Sequence, residues 1–300
     1  MTTPRQQRAI AAYLGLAVGD ALGATVEFMT PNEIRAEYGV HDRICGGGWL
    51  RLKPGQVTDD TTMSLALGQA ILDAGGVDAQ AIARAFDAWM RAKPVDIGNT
   101  VRRGILHFRR TGQTAVPPNE HDGGNGACMR VLPVALHLPD DDEAALRTAC
   151  IAQAHVTHNS EVSDAGTICV ARMLQLAIGG ASIGNLLQGP VKTLIDAQPA
   201  FAFRDRRREE NPSGYIVHTL RAVLQALYET DGFESCLVDV VNRGGDADTT
   251  GAIAGMLAGA LYGLDAIPEH WLSKLDPSIR HACEAQAMAL LPTARGCRVG

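Results

Sequence analysis

The amino-acid sequence predicts an all-α fold, and three observations carry that expectation. Apolar residues recur at helical spacing, strand-like alternation is nearly absent, and aromatic residues make up only 5% of the chain, fewer than a strand-rich barrel uses. With 300 residues, 46% of them hydrophobic and 20% charged, the composition is globular and sufficient for a substantial core. No Pro- or Ser-rich linker and no repeat of solenoid length divides the chain, so residues 1–300 are expected to form a single compact domain.

The elements follow in order. Ile10, Tyr13, Leu14 and Ala17 form one apolar stripe, and Leu65, Leu67, Ala70 and Ile71 a second. Helices are then expected over 78–90, 97–109, 127–136, 141–154, 161–178 and 183–195, many preceded by Asp, Ser or Asn as a start signal. Val217, Leu220, Val223, Leu224 and Leu227 mark another, followed by 233–241, the small-residue run after Thr250, and 278–291. The loops at 44–56, 119–127 and 201–214 are glycine-rich or charged, and such loops on a helical scaffold are where sites lie.

Composition also excludes functions. The 27 basic and 33 acidic residues give a net charge of -6, without the basic excess of a nucleic-acid-binding protein. Seven cysteines (Cys45, Cys128, Cys150, Cys169, Cys236, Cys283, Cys297) have no C-x-x-C spacing, which favours free thiols in a reducing cytoplasm. Arg5 and Arg8 before AIAAYLGLAVG imitate a secretory signal, although Asp20 sits where such a segment stays apolar. The longest uncharged run, 249–264, is shorter than the ~20 residues that cross a bilayer and reads as a buried core helix. Direct membrane insertion is therefore not expected.

Chemistry concentrates in two echoing segments. QVTDDTT (56–62) and GDADTT (245–250) each precede a helix, and aligning their Thr-Thr pairs sets Asp60 opposite Asp248. Asp59 and Asp246 add one carboxylate each. A single Asp suffices to cap a helix. Four convergent carboxylates would repel one another unless a cation compensates, and all-oxygen ligands suit hard divalent ions, two rather than one. The alternative is a pair of separately capped helices far apart in space.

The segments GLAVGDALGATVEF (15–28), TDDTTMSLAL (58–67), GNGACMR (124–130), THNSEVSDA (157–165) and GGDADTTGAIAGMLAGALYG (244–263) together resemble the ADP-ribosylglycohydrolase family. VDIGNTVRRGI (95–105) and SGYI (213–216) extend the resemblance over nearly the whole chain. It implies an orthogonal all-α fold with a central dinuclear metal site, Mn²⁺ in bacterial members and Mg²⁺ in animal ones. The ligands it implies are Thr58, Asp59, Asp60, Asp246, Asp248 and Thr249. The implied activity is hydrolysis of ADP-ribose from an arginine of a target protein, nitrogenase iron protein, with Asp96 as acid/base and Glu27 placing water or substrate. Asn99, Glu120, Gly126, His158 and Tyr215 would line the substrate pocket.

The same resemblance implies recruitment by a PII-type signalling protein to a membrane ammonium channel, so that any membrane association runs through partners. It also displaces the signal-peptide reading, because GLAVGDALGA matches the family's first helix. Two alternatives stay open: the same fold acting on another ADP-ribose linkage, and a non-catalytic ADP-ribose-binding relative. Cys128 departs from the family's usual small residue, His155 is expected to be structural, and Trp49 is either an active-site cover or a loop anchor. Arg204, Arg206, Arg207 and Arg208 form either a self-paired loop with Glu209 and Glu210 or a contact for an acidic partner or pyrophosphate.

Overall fold

The computed structural model describes residues 2–292; Cys297 and the other positions beyond 292 lie outside them. The chain enters through α1 (Pro4–Gly23), α2 (Pro31–Tyr38), α3 (Asp59–Ala74), α4 (Ala79–Arg91) and α5 (Asn99–Thr111). It continues through α6 (Leu132–His137), α7 (Glu143–Ala154), α8 (Glu161–Ile178), α9 (Ile183–Leu186) and α10 (Lys192–Ala197). The last third holds α11 (Ile216–Glu229), α12 (Phe233–Val241), α13 (Ala247–Tyr262), α14 (Glu269–Leu272) and α15 (Pro277–Leu290). Among the described residues there is no β-strand, only the isolated bridges Gly47–Leu52 and Gly124–Tyr215. The all-α expectation holds.

Two helices form the axis of the molecule. α1 starts on a capping box between Thr3 and Gln6 with Pro4 at its first turn, and from Ala11 to Gly23 every residue is buried. α13 is buried from Ala247 to Ala260, so neither helix has a solvent face along those stretches. They run antiparallel with backbones almost touching. A Cβ built on Gly19 would stand 2.0 Å from the Gly251 carbonyl oxygen, and one on Gly15 would stand 2.1 Å from that of Gly255. Only glycine permits that approach, and it brings the end of α1 to the start of α13. The start of α3 reaches the same place.

Local chemistry explains where the helices depart from the expected spans. The helix expected over 127–136 begins only at Leu132, because Pro133 lacks an N–H and its ring excludes a helical carbonyl four residues earlier. The span 183–195 is split into α9 and α10 at Gly189, whose φ of -96° and ψ of -106° precede Pro190. Helices 161–178 and 233–241 match the expected spans. α2 was not expected, although its Thr30-Pro31-Asn32-Glu33 start forms a full capping box. No described helix is long and apolar enough to cross a membrane.

Candidate active site

The segment after α1 and the turn before α13 are tied by reciprocal backbone bonds. Phe28 N donates to Gly245 O (2.7 Å) and Gly245 N donates to Met29 O (2.9 Å). Gly245, with φ at 66°, packs so tightly on Pro212 that a side chain would strike its carbonyl oxygen. Phe28 itself adopts a left-handed φ of 64°, a strain of the kind retained at functional sites. This clamp sets Glu27 beside Asp246.

Asp246 is the N-cap residue of α13, yet its side chain makes no capping bond. Its Oδ2 instead accepts from Asn125 Nδ2 at 2.5 Å, tying the GGNG loop to the helix start. Capping therefore does not account for this carboxylate. On the other half of the site, Asp20 of α1 is buried and accepts from Thr58 N (3.0 Å), Thr61 N (3.1 Å) and Thr61 Oγ1 (2.5 Å). Asp20 thereby shapes the turn that presents Thr58, Asp59 and Asp60.

The two halves meet. Thr249 Oγ1 donates to Asp60 Oδ2 at 3.3 Å, across 189 residues of sequence, and Thr58 Oγ1 reaches the same oxygen at 3.3 Å. Above them opens a cavity of about 420 Å³ lined by Glu27, Asp59, Asp96, Asp246, Asp248 and Thr249 on its acidic side. Asn99, Gly126 and His158 line the opposite part, with Phe28 and Trp49 also in its wall. Thr58 and Asp60 are buried and lie outside the lining.

Glu120 and Tyr215 are not brought into the cavity wall. Glu120 sits on the single turn Glu120–Asp122 with its side chain 89% exposed, and Tyr215 is half-exposed, its ring against His218 and Gly123. His155 bonds Asp164 at 2.8 Å away from the cavity, the structural role expected. Cys128 is fully buried and its thiol is pushed well above its ordinary range by burial. Arg208 pairs with Asp239 of α12 (2.6 Å) and Arg204 stacks on Tyr228, straps to the protein's own body rather than to Glu209 and Glu210. None of the four arginines lines the cavity.

The electrostatics of this wall suit a cation. Burial, and then the charges of Asp246, Asp96 and Asp59, push Glu27 up to about 8 against the opposing Trp49 N–H bond of 2.6 Å. Burial and the charge of Asp96 push Asp59 up to about 7, while Asp60 and Asp248 are driven well above the carboxylate range. Asp60 Oδ1 is buried with no hydrogen-bond partner. Oxygens of Glu27, Asp96 and Asp248 lie within 4.8 Å of one another, close enough to share an ion. An orphaned buried oxygen and a mutually repelling carboxylate set fit hard divalent metal, which would return these groups to their ionised forms. This trio joins the two expected catalytic residues to one expected ligand.

A family model described as ADP-ribosylglycohydrolase matches residues 1–298. The chain belongs to that family. It is 49% identical over 295 residues to the ADP-ribosyl-[dinitrogen reductase] glycohydrolase of Rhodospirillum rubrum, covering 98% of this chain and 99% of that one. It is 32% identical over 282 residues to the ADP-ribosylarginine hydrolase Tri1 of Serratia proteamaculans, covering 89% of this chain and 75% of the relative. A solved structure described as an ADP-ribosylglycohydrolase-related protein complex superposes with a TM-score of 0.83 at 36% identity, covering 95% of this chain and 97% of that one. ADP-ribosylglycohydrolases are thus the frame in which the acidic cavity is to be understood.

Three residues that bind the site together, Asn125, Arg130 and Thr157, were not singled out in the sequence, and Asp20 was noted only against a secretory segment. Asp20 carried a signal, a carboxylate inside an otherwise apolar helix, which is costly unless satisfied. Arg130 is similar, a guanidinium beside the apolar run VLPVAL.

Proposed function

We propose that this chain is a metal-dependent N-glycosidase that hydrolyses ADP-ribose from an arginine side chain of a protein, with nitrogenase iron protein as the substrate. The observation that carries the reading is the meeting of the two Asp-Thr helix starts, Asp60 with Thr249, under a cavity walled by Glu27, Asp96 and Asp248. The names of the relatives support the substrate class: one acts on ADP-ribosyl-dinitrogen reductase and another on ADP-ribosylarginine.

In this reading Thr58, Asp59, Asp60, Asp246, Asp248 and Thr249 hold two divalent ions, Mn²⁺ or Mg²⁺. Bound there, the ions supply an acidified water and orient ribose hydroxyls. The chain's own groups do the rest. Hydrolysis forms a bond from water oxygen to ribose C1 and breaks the bond from C1 to the guanidine nitrogen, through an oxocarbenium-like state. Asp96, held by the Ile97 N–H at 2.7 Å, takes the water proton and returns one to the departing guanidine. Glu27, fixed by Trp49, positions the water, and its negative charge favours the oxocarbenium. Asn99, Gly126 and His158 seat the sugar, and Glu120 and Tyr215 serve at the rim, where the target protein arrives.

Residues 1–300 act as one domain in this proposal. A cytoplasmic location, and a PII-type protein that recruits the enzyme to a membrane, complete it. Release of ADP-ribose from ADP-ribosylarginine, measured with Mn²⁺ and after chelation, tests the reading. Metal-dependent release is expected; its absence would reject the arginine-hydrolase activity.

A further inference from the structure

Behind the cavity wall three side chains run in a buried line from the core to the sugar pocket. The Arg130 guanidinium is fully buried, its Nε donating to Gln153 Oε1 (2.8 Å) and one Nη to both Gln153 O (2.9 Å) and Thr157 Oγ1 (2.8 Å). Its face lies 4.6 Å from the centroid of the Phe86 ring, and its other Nη points to Met63 Sδ of α3 at 3.6 Å. Among the described residues no carboxylate stands within ion-pair distance of this cation. A buried charge held by neutral acceptors is costly, and stability alone is a weak reason to keep it.

Thr157 Oγ1 is also 2.8 Å from Nδ1 of His158. A guanidinium can only donate, so Thr157 Oγ1 accepts from Arg130, and its single proton has His158 Nδ1 as the acceptor at hand. Were Nδ1 protonated instead, the threonine O–H would be stranded in the interior. Nδ1 is therefore bare and the ring proton sits on Nε2. That nitrogen stands 3.1 Å from where a side chain would begin at Gly124 and at Gly126, the two glycines that open this wall of the cavity.

We infer that Arg130, acting through Thr157, is a positioning residue that locks His158 as a neutral Nε2–H donor for an acceptor oxygen of the bound ADP-ribose. Burial, and then the positive charges of Arg130 and Arg103, hold His158 down at about 3, so the ring does not become a cation in the neutral range. With Nδ1 accepting from Thr157, the ring presents Nε2–H to the cavity as a hydrogen-bond donor. The identity of the ligand rests on the function proposed above; the tautomer does not.

Long-range ¹H–¹⁵N spectra of the histidine-labelled protein, with His158 assigned through His158→Asn, test the lock without any assay of turnover. The wild type is expected to show bare Nδ1 and protonated Nε2, unchanged between about pH 5.5 and 8. A protonated Nδ1, or titration near 6.5, would overturn the inference. Thr157→Val should mix the tautomers and weaken ADP-ribose binding by about fivefold to tenfold, the scale of one hydrogen bond, while Thr157→Ser restores both. A folded Thr157→Val protein with wild-type spectrum and affinity also overturns it, and if that variant fails to fold, the wild-type spectrum still decides. Wild type that binds no ADP-ribose would sink the proposed function, with the tautomer still judging the relay.

Discussion

Gly19→Ala places one methyl group at one of the tightest points of the α1–α13 crossing. The added Cβ would stand 2.0 Å from the Gly251 oxygen and 2.4 Å from its carbon, where ordinary contact begins at 3.4 Å. The helices must part locally by about 1.4 Å, because the obstacle is backbone inside a buried helix and cannot swing aside. Parting them loosens contacts along both helices, so the cost falls at the top of the overpacking range or beyond it, about 3 kcal/mol. For a chain of this size that lowers the melting midpoint by roughly 5 °C. The same displacement shifts Asp248 and Thr249 against Asp60, and metal affinity should fall with stability. Gly184→Ala is the control: its nearest neighbour would be Ser182 Oγ at 3.6 Å, and the midpoint should stay level or rise slightly. Calorimetric melts with and without Mn²⁺ read both effects. A Gly19→Ala protein melting within about 2 °C of wild type would refute the argument that backbone contact sets this crossing.

Three further outcomes follow from the site. Asp96→Asn should reduce ADP-ribose release by about 10²–10⁴-fold while calorimetric metal titration stays close to wild type; an equal loss of metal affinity would make Asp96 a ligand instead of the proton carrier. In the chelated protein, Asp20, Asp59 and Glu27 are raised to about 6, 7 and 8, above the ordinary carboxylate value near 4. The folded state then holds more protons than the unfolded one, so their contribution is full below about pH 4 and is lost as pH rises through 6 to 8. Melts of the metal-free protein should fall across that window and those of the metal-saturated protein should not; parallel curves would contradict the assignment. Iodoacetamide with peptide mapping should modify exposed Cys45 rapidly and buried Cys128 slowly, and fast labelling of Cys128 would contradict its burial.

The sequence made the scaffold legible where one signal sufficed. Spans 161–178 and 233–241 coincide with α8 and α12 because apolar spacing and a preceding Ser or Gly agree. The breaks before Pro133 and at Gly189 follow from proline's missing N–H and from its restriction of the preceding residue, a local cue that the apolar pattern overrode in the expectation. The TDDTT and DADTT halves were visible as echoes, but their meeting depends on glycines of α1 and α13 that allow a tertiary approach no spacing rule measures. The roles of Asn125, Asp20 and Arg130 were opaque for the complementary reason. Each is one polar residue whose partner lies far off in sequence, 121 residues away for Asn125 and Asp246.

The bond from Trp49 to Glu27 also gives the protein an optical reporter. Of the three tryptophans, Trp271 is sealed in the core with its N–H on Asp42 O, and Trp89 is half-buried on Thr62 Oγ1. Trp49 alone is both open to solvent and bonded to a carboxylate of the acidic cavity. A change in the charge of Glu27, as an ion or substrate enters, alters the field on that indole, so emission from an unlabelled sample can follow occupancy in real time.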